Sequence, residues 1–268
     1  MERSSQASAP DAGLARAEDV ERIRMALGDA LKTLEGLGDA VWVGRKAGGD
    51  LLTAADHAID ETLRGVLPRP GEGWLSEETA DDPIRLERRR VWVVDPLDGT
   101  QEFVAGIPEW CVSIGLVEDG LPVAGGVCNP ATRELVLGSV ETGVTLNGRQ
   151  VAARKRRELQ GAEVLASRSE VRRGEWEDTS AVFRVRPVGS VAYKLALVAA
   201  GLTDATWTLS PKHEWDVAAG AALVLAAGGE IRTLAWEPPV FNRRDPWLSG
   251  LVATSVGLGE AVRSYLGR

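Results

Sequence analysis

Few residues in this chain suit a soft metal or a covalent cross-link: only two cysteines and two histidines occur among 268 residues. Cys111 and Cys128 each sit in an apolar, strand-like run, so they read as buried thiols rather than a disulfide or a metal pair. That usage suits a reducing, cytoplasmic setting. His57 and His213 have no cysteine or histidine at ligand spacing, which argues against a zinc site. Long hydrophobic runs are also missing. The longest uncharged apolar stretch, residues 217–227, is far short of a membrane span, and the N-terminal segment carries Glu2, Arg3 and Asp11 with no apolar signal core. Basic charge is outweighed: 31 Lys and Arg against 39 Asp and Glu give a net charge of -8, which disfavours a nucleic-acid polymer or an anionic membrane as partner. Any metal chemistry falls to carboxylates.

What is present is an ordinary globular composition, 44% hydrophobic and 26% charged, in a chain long enough for two lobes. Residues 1–15 are rich in Ser, Ala and Gly and are expected to be disordered, followed by a helix over residues 17–37 with Val20, Ile23, Leu27, Leu31 and Leu34 at helical spacing. A Gly-containing loop from Gly44 to Asp50 leads into a second helix over residues 53–67, with Asp56 in its first turn and Pro68 at its end. Residues 111–151 alternate short Val/Ile/Leu runs with turn signals such as Asn147-Gly148, the pattern of an antiparallel meander. Strands near 163–166, 183–186, 205–209 and 230–233 then alternate with helices near 191–200 and 216–227. This gives an α+β lobe over residues 16–155 and an α/β lobe over 156–268, joined near the basic run Arg154-Lys155-Arg156-Arg157, which reads as a solvated connection.

The densest chemical signal is the strand Val91-Trp92-Val93-Val94 running into Asp95-Pro96-Leu97-Asp98-Gly99-Thr100. Pro96 and Gly99 force a turn, so Asp95 and Asp98 curl toward one point with the Leu97 carbonyl between them. These oxygens suit a hard cation such as Mg²⁺, and they equally suit capping of the turn and the following helix. A second acidic pair, Glu77-Glu78, follows the turn residues Gly71 and Gly73, and reads as either solvated loop or ligand. A third element, Glu214-Trp215-Asp216-Val217-Ala218-Ala219-Gly220, places Asp216 at the start of an Ala-rich helix, where an N-cap role alone accounts for it.

Taken in order, Ser76-Glu77-Glu78-Thr79, Asp95 to Thr100 and Trp215 to Gly220 resemble three motifs of the inositol monophosphatase-like superfamily of Mg²⁺-dependent, Li⁺-sensitive phosphatases. The resemblance implies a layered αβαβα sandwich and two or three Mg²⁺ ions held by Glu77, Asp95, the Leu97 carbonyl, Asp98 and Asp216. It also implies catalytic roles for Thr100, Asp56, Glu77 and Asp95, with Lys46 as the loop lysine, although Gly48-Gly49-Asp50-Leu51-Leu52 departs from the usual Ser-Pro-Val before Thr53. A homodimer is compatible with the resemblance.

Within that superfamily, Glu102-Phe103 and Leu165-Ala166-Ser167-Arg168-Ser169 resemble the 3'(2'),5'-bisphosphate nucleotidase branch, with Glu170 in place of the usual His. Gly99, Thr100, Lys46, Arg168, Ser190, Lys194 and Asp216 are the expected contacts to a small phosphorylated metabolite, Arg168 and Lys194 meeting a second phosphate. The favoured activity is hydrolysis of adenosine 3',5'-bisphosphate to AMP and phosphate. The alternatives are inositol 1-phosphate hydrolysis, fructose 1,6-bisphosphate hydrolysis, and a catalytically silent protein that keeps the fold.

Overall fold

Two large sheets, two two-stranded pairs and seven α-helices make up the computed structural model, which describes residues 9–38, 43–45, 51–177, 179 and 181–267. Helix α1 (Ala9–Leu37) buries Ile23, Leu27 and Ala30, spaced so that they share one face. It begins eight residues before the expected start, so part of the N-terminal stretch expected to be disordered is helical. The segment expected to be a loop from Gly44 is bounded by a short antiparallel pair, β1 (Val43–Arg45) and β2 (Leu51–Thr53); Lys46, expected as the loop lysine, lies outside the described residues. Helix α2 (Ala54–Val66) starts with a reciprocal cap: Asp56 N–H and Ala55 N–H donate to the Thr53 hydroxyl, and Thr53 N–H donates to the Asp56 carboxylate at 2.7 Å.

The larger sheet contains β3 (Gly73–Ser76), β4 (Arg90–Asp98), β5 (Cys111–Glu118), β6 (Leu121–Asn129), β7 (Glu134–Ser139), β8 (Gly143–Leu146) and β9 (Arg149–Val151), side by side in that order. β3 runs parallel to β4 and the remainder is the expected antiparallel meander. The short helix α3 (Thr100–Val104) follows β4. Strand β4 shows why its sequence reads as continuously apolar: Trp92 and Val94 pack toward α1 and α2, while Val91 and Val93 pack on the opposite face.

The second sheet is ordered β11 (Arg184–Val188), β10 (Glu163–Ser167), β12 (Ala205–Thr208), β16 (Leu251–Thr254), β14 (Glu230–Thr233), with β10 parallel to β11 and β12 and the other pairs antiparallel. Helices α5 (Val191–Ala199) and α6 (Glu214–Ala226) fill the space between the sheets, and α7 (Gly259–Tyr265) covers the outer face. Helix α4 (Arg168–Arg172) follows β10, and a two-stranded pair, β13 (Lys212–His213) with β15 (Trp247–Leu248), precedes α6. The architecture is the expected αβαβα sandwich. Among the described residues, no helix is long and apolar enough to cross a membrane.

Helix α6 lies unusually close to the larger sheet because small residues face each other. A Cβ placed on Gly125 would fall 2.4 Å from the Ala219 carbonyl oxygen, and one on Gly115 would fall 2.8 Å from Ala219 N. The Ala-Ala-Gly run in α6 therefore rests nearly backbone to backbone on β5 and β6, which fixes Asp216 relative to Asp95 and Asp98.

Candidate metal centre and catalytic pocket

The end of β4 leaves regular pairing between Asp95 and Asp98, where its register with β5 shifts. Pro96 has no N–H to give to a ladder, and the chain turns there. Leu97 N–H donates to Asp95 Oδ1 at 3.0 Å, and the Leu97 carbonyl accepts the Thr100 hydroxyl at 3.1 Å. Gly99 has φ +99°, and a Cβ there would lie 3.0 Å from the Glu109 carbonyl oxygen, so conformation and space both require glycine.

Two other elements bring carboxylates to this turn. The loop Ser76-Glu77-Glu78-Thr79 is tied at both ends to Asp60 of α2, which accepts the Ser76 hydroxyl at 2.5 Å and the Thr79 hydroxyl. Glu77 N–H donates to the Val94 carbonyl, placing Glu77 beside the end of β4. Asp216 sits in the first turn of α6 and caps it, accepting His213 N–H on Oδ2 at 3.1 Å. It faces the pocket as well, so capping and ligation are compatible at this position.

Glu77, Asp95, Asp98 and Asp216 line one cavity of about 360 Å³ together with Leu97, Gly99 and Thr100. Asp95 and Asp98 are buried, and among the described residues neither they nor Asp216 forms an ion pair with Lys or Arg. Burial, reinforced by the charges of Glu77, Asp98 and Asp216, pushes the Asp95 carboxyl well above its ordinary value. Asp216 is pushed the same way by burial and then by Asp98 and Glu77. Asp98 is raised by burial, partly offset by hydrogen bonds from the Ser190 hydroxyl and Ala192 N–H, both at 2.6 Å.

The donor set fits a hard divalent cation. Every candidate ligand is an oxygen, several carboxylates converge on one cavity, and Asp95, Asp98 and Asp216 each commit one carboxylate oxygen to a protein hydrogen bond. Their other oxygens accept none from the described residues. No three such side chains among the described residues already stand as a closed coordination group, so ion binding would draw these free oxygens inward.

The same cavity is also lined by Glu102, Arg168, Arg172, Lys194 and Lys212, and the charges of Lys194 and Lys212 act on Asp98, that of Lys212 on Asp216 as well. Lys194 is buried, and its ammonium donates to the carbonyls of Ser190 at 2.7 Å and Val188 at 3.3 Å; burial lowers its pKa to about 8. Ser190 has φ +57° and caps α5 by accepting Tyr193 N–H, while its hydroxyl donates to Asp98. Arg168 is held by Glu109 through two hydrogen bonds at 2.6 and 2.7 Å. Asp56 lies behind the lining, its carboxylate 3.4 Å from the Thr100 hydroxyl, a long hydrogen bond.

Sequence reasoning did not pick out Lys212, Arg172 or Glu109. Lys212 stands four residues before Asp216, a proximity that could have drawn attention to it. Glu109 is separated from Arg168 by 59 residues, and nothing in its local sequence marks it. His213, whose ring stacks on Trp215 at 4.1 Å and meets Trp247 at 3.5 Å, also lines the cavity.

Comparison with known proteins places this geometry among relatives. The sequence model of the inositol monophosphatase family matches residues 11–265. An inositol-1-monophosphatase of Rhizobium meliloti is 34% identical over 237 residues, covering 84% of this chain and 86% of the relative. The solved inositol monophosphatase of Anabaena superimposes with a TM-score of 0.75 at 26% identity, over 95% of this chain and 96% of that one. CysQ of Bacteroides thetaiotaomicron, described as a bacterial member of the same family, superimposes with a TM-score of 0.74 at 25% identity, over 89% and 97% of the two chains.

Proposed function

Because this chain belongs to the inositol monophosphatase family and is a phosphoric monoester hydrolase, we propose that its substrate is a small bisphosphorylated metabolite, adenosine 3',5'-bisphosphate in the favoured case. The observation that carries this reading is that one cavity is lined both by the carboxylates Glu77, Asp95, Asp98 and Asp216 and by the basic side chains Arg168, Arg172, Lys194 and Lys212. One reacting phosphate facing the metal ligands leaves the basic side chains for a second anion.

Two or three Mg²⁺ ions on Glu77, Asp95, the Leu97 carbonyl, Asp98 and Asp216 would neutralise the phosphoryl oxygens and acidify a water. The chain's own groups supply orientation. The Thr100 hydroxyl, held by the Leu97 carbonyl and reaching toward the Asp56 carboxylate, is placed to orient the attacking water and pass its proton toward Asp56. Gly99 and Thr100 line the cavity at the start of α3, where their backbone N–H groups would meet a phosphoryl oxygen. Ser190 and Ala192 N–H fix the orientation of Asp98.

Inositol 1-phosphate is the second reading. It is supported by the relative named inositol-1-monophosphatase and by the Arg168 charge being already met by Glu109. Phosphate release from the two substrates side by side, with Mg²⁺ and with or without Li⁺, separates the readings. Faster, Li⁺-sensitive release from the nucleotide supports the first. Preference for inositol 1-phosphate replaces it with the second.

A further inference from the structure

The cavity that holds the carboxylates has a neighbour. A second cavity of about 300 Å³ has apolar walls from Ala105, Ile107, Val171 and Pro187, and Gln101, Glu102, Arg168 and Arg172 line both spaces. A molecule reaching from one to the other passes Arg168. The guanidinium of Arg168 is not free to swing there: its Nε and Nη2 donate to Glu109 Oε2 and Oε1. Nη1 takes no protein acceptor among the described residues, so it is the donor left for a ligand. Glu109 is itself anchored, because Gly189 N–H donates to its Oε2 at 2.8 Å, and Gly189 precedes the Ser190 that orients Asp98.

We infer that Glu109 is a positioning residue that sets substrate selectivity, locking Arg168 at the boundary of the two cavities so that its Nη1 edge meets the second anionic group of a bisphosphorylated substrate. The inference rests on the bisphosphate reading. A guanidinium held by two parallel hydrogen bonds has lost its rotational freedom before the ligand arrives, which lowers the ordering cost of binding. Glu109 also offsets part of the Arg168 charge, so selectivity comes from direction more than from net attraction. The apolar walls beyond Arg168 suit the organic remainder of such a substrate.

The atoms in contact make Glu109→Gln a discriminating variant. With its amide oxygen at the Oε2 position, glutamine keeps the acceptor for Gly189 N–H and Arg168 Nε and loses the acceptor for Arg168 Nη2. The anchor survives and the bidentate lock does not. Adenosine 3',5'-bisphosphate and adenosine 3'-monophosphate differ only in the second phosphate, so the ratio of their kcat/KM values isolates its recognition.

Wild type should prefer the bisphosphate, and Glu109→Gln should lower that preference about tenfold through KM, with kcat on the bisphosphate within about twofold. Arg168→Gln should lose the same preference, and the double variant should lose no more than either single one. Arg168→Gln carries the test by itself should Glu109→Gln fail to fold. An unchanged preference in both variants, or an equal fall in kcat for both substrates, overturns the inference while the bisphosphate reading stands. A wild type with no preference for the bisphosphate overturns that reading, and the inference with it.

Discussion

Strand β4 joins two clusters of carboxylates that meet cations differently: arginines pair directly with the first, whereas Asp95, Asp98 and Asp216 of the second form no ion pair with Lys or Arg among the described residues. At its start, Arg90 reaches Asp19 and Glu72, Arg22 meets Glu72 at 2.7 Å, and Arg16 meets Glu118 at 3.0 Å. Trp92 Nε1–H also donates to Glu72. Burial resists ionisation of Glu72, but hydrogen bonds from Arg22, Trp92 and the Arg69 N–H outweigh it and pull the carboxyl down to about 2. At the other end of the strand, Asp95 and Asp98 lie buried beside Glu77 and Asp216, and burial plus like charge raises Asp95. Acidic residues with matched cations bind parts of the fold together. A buried carboxylate with no such pair among the described residues, as at Asp95, is costly to keep charged until a cation binds.

The largest expected effect comes from cutting the cluster at the end of β4. Asp95→Asn should lower Mg²⁺-supported phosphate release by about a thousandfold, since a ligand held between ions contributes several kcal/mol to the transition state. In chelator the same variant should melt above wild type, because one buried negative charge is gone. A lower melting temperature in chelator would sink the contrast between the clusters.

Ligand linkage comes next. At about 100 times its dissociation constant, Mg²⁺ should stabilise wild type by about 2.7 kcal/mol. For a chain of this size that corresponds to roughly 5–10 °C in Tm. Asp216→Asn should lose most of that shift in a thermal melt with and without metal.

Ser190→Ala removes the hydroxyl that orients Asp98 and should lower kcat about tenfold, with Tm measured alongside to separate this from the lost cap on α5.

Smallest is the balanced cluster. Glu72→Gln should cost about 1 kcal/mol at neutral pH by leaving Arg22 and Arg90 short of a partner. The two clusters should also tilt stability against pH in opposite senses. The folded Glu72 carboxyl lies near 2 against an ordinary 4.5, so its contribution is complete above 4.5 and is lost as pH falls toward 2. The folded Asp95 carboxyl lies above its ordinary 3.8, so metal-free protein gains stability as pH falls through the raised value. Urea midpoints of wild type, Glu72→Gln and Asp95→Asn in chelator across pH 2–8 would show each slope flatten in its own variant.

Much of the fold was legible because local sequence and tertiary packing agree. Trp92 and Val94 face one layer while Val91 and Val93 face the other, and the turn residues after Glu118, Asn129 and Glu141 end strands where the meander needs them. The three acidic elements were legible because each carries its turn residues or cap with it. Helix α1 was read short because Ala9, Pro10, Asp11, Ala12 and Gly13 at its start lack an apolar stripe. The basic lining was harder to read. Arg168 was expected to face a phosphate directly, yet its orientation depends on Glu109 from a loop 59 residues earlier, and only folding reveals such a pairing. Ser190 was expected beside substrate, but its left-handed backbone and its bond to Asp98 depend on how β11 turns into α5.

The glycine-lined seat of α6 bears on how faithfully the ligand spacing is kept. Had bulky side chains separated that helix from β5 and β6, every rotamer change or volume-altering substitution among them would move Asp216 relative to Asp95. With Gly115 and Gly125 pressed against the backbone at Ala219, the gauge between the two halves of the centre is set by peptide atoms, which neither swap rotamers nor drift in size. The centre thus sits in a rigid jaw, and the loops around it can vary without changing its opening.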